Sequence, residues 1–71
     1  MATTPDEASM SQADRLRVQE TLRRLGYYEG QADGIFGPLT RAAIRRFQRD
    51  IGAATTGRLT GEEASRLVGT H

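Results

Sequence analysis

Apolar residues recur at helical spacing in three separate parts of the chain. In the first part three of them fall on one helical face: Val18, Leu22 and Leu25. This periodicity predicts an amphipathic helix. Ser11 is suited to be its N-cap, with Asp14 three residues later as the partner in a short capping box. Gly26 is suited to end the helix, because glycine readily adopts a left-handed conformation there.

The second part predicts the most amphipathic helix of the chain. Its apolar arc contains Thr40, Ala43, Ile44, Phe47 and Ile51. Its opposite arc contains Arg41, Arg45, Arg46 and Arg49. This division into two arcs indicates one buried and one solvated face. Pro38 suits the first helical turn, where no N–H donor is needed, and we expect the helix to end near Asp50 because Gly52 follows.

The third part predicts a short helix near the end of the chain. Thr60 and Glu63 form a T-x-x-E capping box, and Gly69 is expected to stop the helix. The predicted inner face contains Ala64, Leu67 and Val68. Three helices and no alternating strand pattern predict an all-α fold, a compact three-helix bundle.

The connection between the first two predicted helices is an eleven-residue, glycine-rich loop, YYEGQADGIFG, from Tyr27 to Gly37. It is long for a simple connector, and binding residues concentrate on such loops. Residues 1–10 are polar and predict a flexible leader, which leaves residues 11–71 as the folded domain. A chain of 71 residues has room for one domain.

All ten basic side chains of the Lys and Arg type are arginines, and the chain has no lysine. It also has no cysteine. From Arg15 to Arg49 there are eight arginines and three acids, which gives 8 − 3 = +5. Two interpretations stay open: arginine-rich codon usage, or a surface for an anionic partner. No apolar run approaches the ~20 residues of a membrane helix, so we expect no membrane insertion. The polar start predicts either a cytoplasmic protein or a segment of a longer exported chain, and we favour the segment.

The residue types argue against catalysis and against nucleic-acid binding. The single histidine, His71, is terminal, the chain has no cysteine, and its serines lie in a leader, a cap and a helix, so no base is placed beside a nucleophile. The loop spacing is not that of a calcium site, and we expect no enzyme, metal or cofactor. A helix-turn-helix reader of DNA needs a shorter turn than Tyr27 to Gly37. Its recognition helix would also carry Glu62 and Glu63 against a single Arg66.

The stretch LGYYEGQADGIFGPLTRAAIRRFQ, from Leu25 to Gln48, resembles the signature of the peptidoglycan-binding domain family, and so does TGRLT from Thr56 to Thr60. The resemblance implies a monomeric, non-catalytic accessory module that takes an attached protein, such as a cell-wall hydrolase, to peptidoglycan in the bacterial cell envelope or periplasm. The alternative is a protein-interaction or regulatory module on the same fold without cell-wall affinity. The chain departs from the family pattern at Arg15, where an apolar residue is usual, and at Ala53.

Within this frame we expect a shallow pocket beside Asp33. The residues predicted to contact a ligand are Tyr27, Tyr28, Asp33, Ile35, Arg41 and Arg45. The residues predicted to shape the loop are Gly26, Gly34, Gly37 and Thr40. We expect Asp33 to form an Asx turn with Gly34 at positive φ, and the Thr40 hydroxyl to bond back into the loop, to Asp33 or its backbone. Gln19 and Gln48 are expected to tie the helices to the loop carbonyls.

Overall fold

The computed structural model describes residues 7–68, and these form three α-helices with none of them in a strand. The helices are α1 (Gln12–Arg24), α2 (Pro38–Asp50) and α3 (Gly61–Val68), preceded by one turn of 3₁₀ helix at Glu7–Ser9. The all-α, three-helix prediction is confirmed. No helix within this range is long and apolar enough to cross a membrane.

The helices begin where their capping residues lie. Ser11 Oγ accepts from the Asp14 N–H at 3.2 Å, and the Ser11 N–H donates to the Asp14 carboxylate at 3.4 Å. Thr60 and Glu63 form the same reciprocal pair, each bond 3.1 Å long. Both predicted capping boxes are confirmed, and each cap stabilises its helix by about 1 kcal/mol. The stop predicted at Gly69 lies outside the described residues.

The core is a single cluster that draws residues from all three helices and from the segments between them. It contains Met10, Val18, Leu22, Tyr28, Ala43, Ile44, Phe47, Leu59, Ala64 and Leu67. Leu25, which shares the predicted apolar face of α1 with Val18 and Leu22, does not join the core, because its side chain is 54% exposed. Leu25 is the C-cap of α1, and the chain then turns at Gly26 with φ of +90°. Tyr28 returns to the core instead, with its N–H bonded to the Leu22 carbonyl at 3.2 Å.

The predicted leader is wrong for its last four residues. Glu7 and Met10 are buried, and Glu7 pairs with Leu59 in both directions. The Glu7 N–H donates to the Leu59 carbonyl at 3.2 Å, and the Leu59 N–H donates to the Glu7 carboxylate at 3.0 Å. Arg41 forms an ion pair with the same carboxylate. The packed part of the chain therefore includes Glu7, because this contact with a segment distant in sequence fixes the turn ahead of α1.

Candidate functional site

The segment between α1 and α2 is held by one buried side chain, the amide of Gln19. Its Oε1 accepts from the Gly34 N–H at 2.8 Å. Its Nε2 donates to the Ile35 carbonyl at 2.8 Å and to Thr40 Oγ1 at 3.0 Å. The predicted role of Gln19 as a tie between helix and loop is confirmed. Thr40 was expected to bond into the loop, to Asp33 or its backbone; its Oγ1 instead accepts from Gln19 Nε2, which also donates to Asp33 Oδ1 and so lies between the two side chains.

Asp33 forms the predicted Asx turn. Its Oδ1 accepts from the Ile35 N–H at 3.0 Å and from Gln19 Nε2 at 3.3 Å. The hydrogen bond from Ile35 is the main reason that the pKa of Asp33 lies below its usual range, and the Gln19 amide acts in the same direction. Gly34 has φ of +80°, as the turn requires. The carboxylate oxygen that makes these bonds is occupied in shaping the loop.

The segment between α2 and α3 repeats this arrangement around Gln48. Gln48 Oε1 accepts from the Gly57 N–H at 2.9 Å, and its Nε2 donates to the Arg58 carbonyl at 2.8 Å and the Glu63 carboxylate at 3.0 Å. Thr56 Oγ1 takes the position of Asp33, accepting from the N–H two residues later at 3.1 Å. The two connections are therefore copies of one unit, although the chain shows only a loose echo in its sequence.

Two of the predicted ligand residues have side chains engaged inside the protein. Tyr28 is buried, and its hydroxyl donates to the Gln31 carbonyl at 2.8 Å. Arg41 donates to the Gly57 carbonyl at 3.1 Å, pairs with Glu7 and lies over the Phe36 ring at 5.6 Å. These contacts tie the loops and the segment before α1 together, so both side chains have a structural role.

Tyr27 is half-buried, and its ring is fixed by three neighbours on α2. Its hydroxyl donates to Asp50 Oδ2 at 2.6 Å, and this bond is the main cause of the raised pKa of Tyr27. Its ring meets that of Phe47 edge to face, with centroids 5.9 Å apart. The Arg46 guanidinium lies over the ring, 6.0 Å from its centroid. Tyr27 is therefore a rigid wall on the surface of the domain.

An open groove of about 370 Å³ lies between this wall and α2. It is lined by Tyr27, Glu29, Leu39, Ala42, Ala43 and Arg46. The four α2 residues follow the spacing i, i+3, i+4, i+7 and so form one stripe along the helix. The two alanines end at Cβ, which leaves the concavity between the larger side chains of Leu39 and Arg46.

The groove contains only one of the residues predicted as ligand contacts, Tyr27. Asp33 is not among the residues that line this groove. Ile35 is 67% exposed and Arg45 is also exposed, its side chain lying over Gly57, but both lie outside the groove. Sequence reasoning missed Leu39, Ala42 and Arg46. The signal available was their common helical face, displaced from the buried arc.

Comparison with known proteins decides the family. The family model described as "Putative peptidoglycan binding domain" matches residues 11–67, most of the chain. The chain belongs to this family. The predicted resemblance is confirmed, and the domain is a peptidoglycan-binding module by family.

Relatives of the module carry the matching segment within much longer proteins. The chain is 45% identical over 50 residues to the localization factor PodJL of Caulobacter vibrioides, covering 70% of this chain and 5% of that protein. It is 36% identical over 55 residues to the spore cortex-lytic enzyme of Oceanobacillus iheyensis, covering 78% and 20% respectively.

A solved structure shares the fold. SltB3 from Pseudomonas aeruginosa, solved in complex with NAG-anhNAM-pentapeptide, matches with a TM-score of 0.77 and 36% identity. The match covers 82% of this chain and 16% of SltB3. The chain thus spans a small part of the relatives it matches, and the cell-wall proteins among them indicate a cell-envelope context for the module.

Proposed function

We propose that the groove beside Tyr27 is the surface by which this module holds peptidoglycan, and that the module contributes binding and no catalysis of its own. The observation that carries the proposal is the groove's construction. An open concavity with an apolar floor and two charged rim residues is built from one helix and one rigid loop. Pockets of roughly 300–1,000 Å³ with a few polar groups are typical ligand sites.

The walls of the groove are held firmly enough to bind a ligand without rearranging. The α2 wall is anchored by Ala43, which is buried beneath it, and by the core residue Phe47. The loop wall is fixed by the Tyr27–Asp50 hydrogen bond and by the burial of Tyr28 immediately after it. A surface that is already ordered loses little conformational entropy on binding.

We further propose that the module acts as a monomer that holds an attached protein to the wall, in the periplasm or elsewhere in the cell envelope. The small share of each relative that the module covers supports this role. Ile35 and Arg45 are accessible and stay predicted contacts outside the groove, to be tested after the groove residues.

A cosedimentation assay with insoluble peptidoglycan sacculi tests the proposal. Ala42→Leu fills the groove from a half-buried helical position, so we expect it to reduce the fraction of domain that pellets with sacculi. Ala13→Leu makes the same change at an exposed position on α1 and is the matched control, expected to pellet like the parent.

Two results would count against the proposal at different levels. If the parent domain stays in the supernatant, wall binding itself is refuted. If the parent pellets and Ala42→Leu pellets equally well while keeping the parent's circular dichroism spectrum, binding occurs elsewhere on the domain and the groove is the wrong site.

A further inference from the structure

We infer that the groove recognises the peptide part of peptidoglycan and not its glycan part, with Arg46 pairing to a peptide carboxylate and Glu29 to a free amino group. The inference rests on the proposed wall-binding role of the same groove. It adds the chemical class of the ligand: a short zwitterionic peptide with small side chains.

The first argument is the availability of opposite charges on the two walls. Glu29 comes from the loop and Arg46 from α2, and both are exposed and line the groove. Neither makes a hydrogen bond or an ion pair with another residue in the range 7–68. By contrast, the Arg41 guanidinium is already paired with Glu7. The groove therefore offers one unpaired anion and one unpaired cation, a pattern complementary to a molecule that carries both charges.

The second argument is the shape and chemistry of the floor. Between the charged residues the floor is the methyl group of half-buried Ala42, above the buried Ala43, with Leu39, 68% exposed, beside it. A methyl-lined floor packs against the methyl side chains of alanine residues, which are abundant in the stem peptides of peptidoglycan. It offers few hydrogen-bonding groups for the ring of hydroxyls that a sugar presents.

The third argument is that the aromatic ring is not free to stack on a sugar. Tyr27 was expected to do so, since an exposed tyrosine has an apolar face and a polar tip. In the structure Arg46 lies over the ring and the hydroxyl is bonded to Asp50 at 2.6 Å. A sugar would have to displace the guanidinium, whereas a peptide carboxylate would pair with it where it lies.

The ligand chemistry follows from these three features. A stem peptide carries carboxylates and, where it is not cross-linked, a free amino group on its diamino acid. The glycan strand of N-acetylated sugars carries no such amine. Acetylating the peptide amine would remove the charge that Glu29 is placed to meet and leave the remainder of the peptide unchanged.

Titration of the ¹⁵N-labelled domain followed by NMR tests the inference. The probes are a synthetic stem pentapeptide acetylated at its N-terminus, N-acetyl-L-Ala-γ-D-Glu-L-Lys-D-Ala-D-Ala, the same peptide acetylated also on the lysine amine, and an oligomer of N-acetylglucosamine. We expect the free peptide to shift the amide signals of Ala42 and Ala43. We expect acetylation to weaken binding about threefold to fivefold, the size typical of an exposed ion pair.

Charge variants assign the contacts. Glu29→Gln should bind the free and acetylated peptides equally, whereas the control Glu20→Gln, exposed on α1, should keep the preference for the free amine. Arg46→Gln should weaken both peptides, with Arg49→Gln as its matched control on the same helix. Binding of the sugar oligomer in the groove at least as strongly as the peptide would overturn the inference. So would an acetylation effect that persists in Glu29→Gln. Either result leaves the cosedimentation test of wall binding standing, so the two proposals fail separately.

Discussion

Replacing Gln19 by leucine should destabilise the domain more than its small change in volume suggests. Gln19 is fully buried and makes four hydrogen bonds to the loop and to α2. Gln19→Leu keeps a side chain of similar bulk but removes every donor and acceptor. The substitution therefore isolates the contribution of the amide from that of packing.

The expected loss can be worked from the groups left without a partner. The Gly34 N–H would lose a hydrogen bond of 2.8 Å, and fully buried Thr40 Oγ1 would lose one of 3.0 Å, whereas the Ile35 carbonyl would keep its bond from the Gly37 N–H. An unsatisfied buried polar group costs about 1–3 kcal/mol, so the two together cost about 2–6 kcal/mol. The buried leucine side chain offsets part of this, and we expect a net loss of about 2–4 kcal/mol. For a chain of 71 residues the whole free energy of unfolding is roughly 4–11 kcal/mol.

Urea unfolding followed by far-ultraviolet circular dichroism measures this loss, with the free energy of unfolding taken by linear extrapolation. Gln31→Leu is the control, because Gln31 is exposed in the same loop and its side chain makes no hydrogen bond to the described part of the chain. A loss below about 1 kcal/mol for Gln19→Leu, or one equal to that of Gln31→Leu, would refute the view that the amide holds the loop.

Three further predictions concern other parts of the fold, each measured by the same unfolding experiment. A chain that starts at Ser11 should have a free energy of unfolding lower by about 2–4 kcal/mol, because it lacks buried Met10 and the Glu7 contacts. An unchanged free energy of unfolding would show that these contacts contribute nothing. Because the pKa of Asp33 is lowered in the fold, its carboxylate stabilises the fold above its usual pKa and loses this effect as the pH falls through the lowered value. Asp33→Asn should therefore lose less stability than the parent as the pH falls from above the ordinary carboxyl pKa of 3.8 through the lowered value, and identical pH profiles would contradict this. Gly57 has φ of +81°, so Gly57→Ala should lower the free energy of unfolding by about 1–2 kcal/mol. Gly37 has φ of −89° and open space around it, so Gly37→Ala should change that free energy by less than about 0.5 kcal/mol. Equal effects of the two substitutions would refute the role of backbone strain.

Features determined by neighbours in sequence were predictable from the chain. The capping boxes at Ser11 and Thr60 and the start of α2 at Pro38 depend on residues three or four positions apart, and all three were predicted correctly. The amide ties of Gln19 and Gln48 were also predictable, because each lies at the edge of an apolar helical face.

Features determined by contacts between residues distant in sequence could not be predicted from the chain. Glu7 is buried through Leu59, 52 residues away, and no local pattern marks an acidic residue in a polar segment as buried. Leu25 continued the apolar period of α1, but the turn at Gly26 gave its expected place in the core to Tyr28. The groove depends on how the loop lies against α2, so Ala42 and Arg46 could be assigned to a helix face but not to a site.

The two glutamine-held loops are the same unit placed in different surroundings. Distant residues contact the second loop, where Glu7 pairs with Leu59 and Arg41 reaches the Gly57 carbonyl. In the first loop Arg41 lies over the ring of Phe36, whereas Ile35 stays exposed and Tyr27 forms a wall with α2. The polar ties that stabilise the first loop therefore also hold one wall of the groove rigid. A side chain that fills the groove without touching these ties, as in Ala42→Leu, should therefore reduce wall binding without lowering the free energy of unfolding.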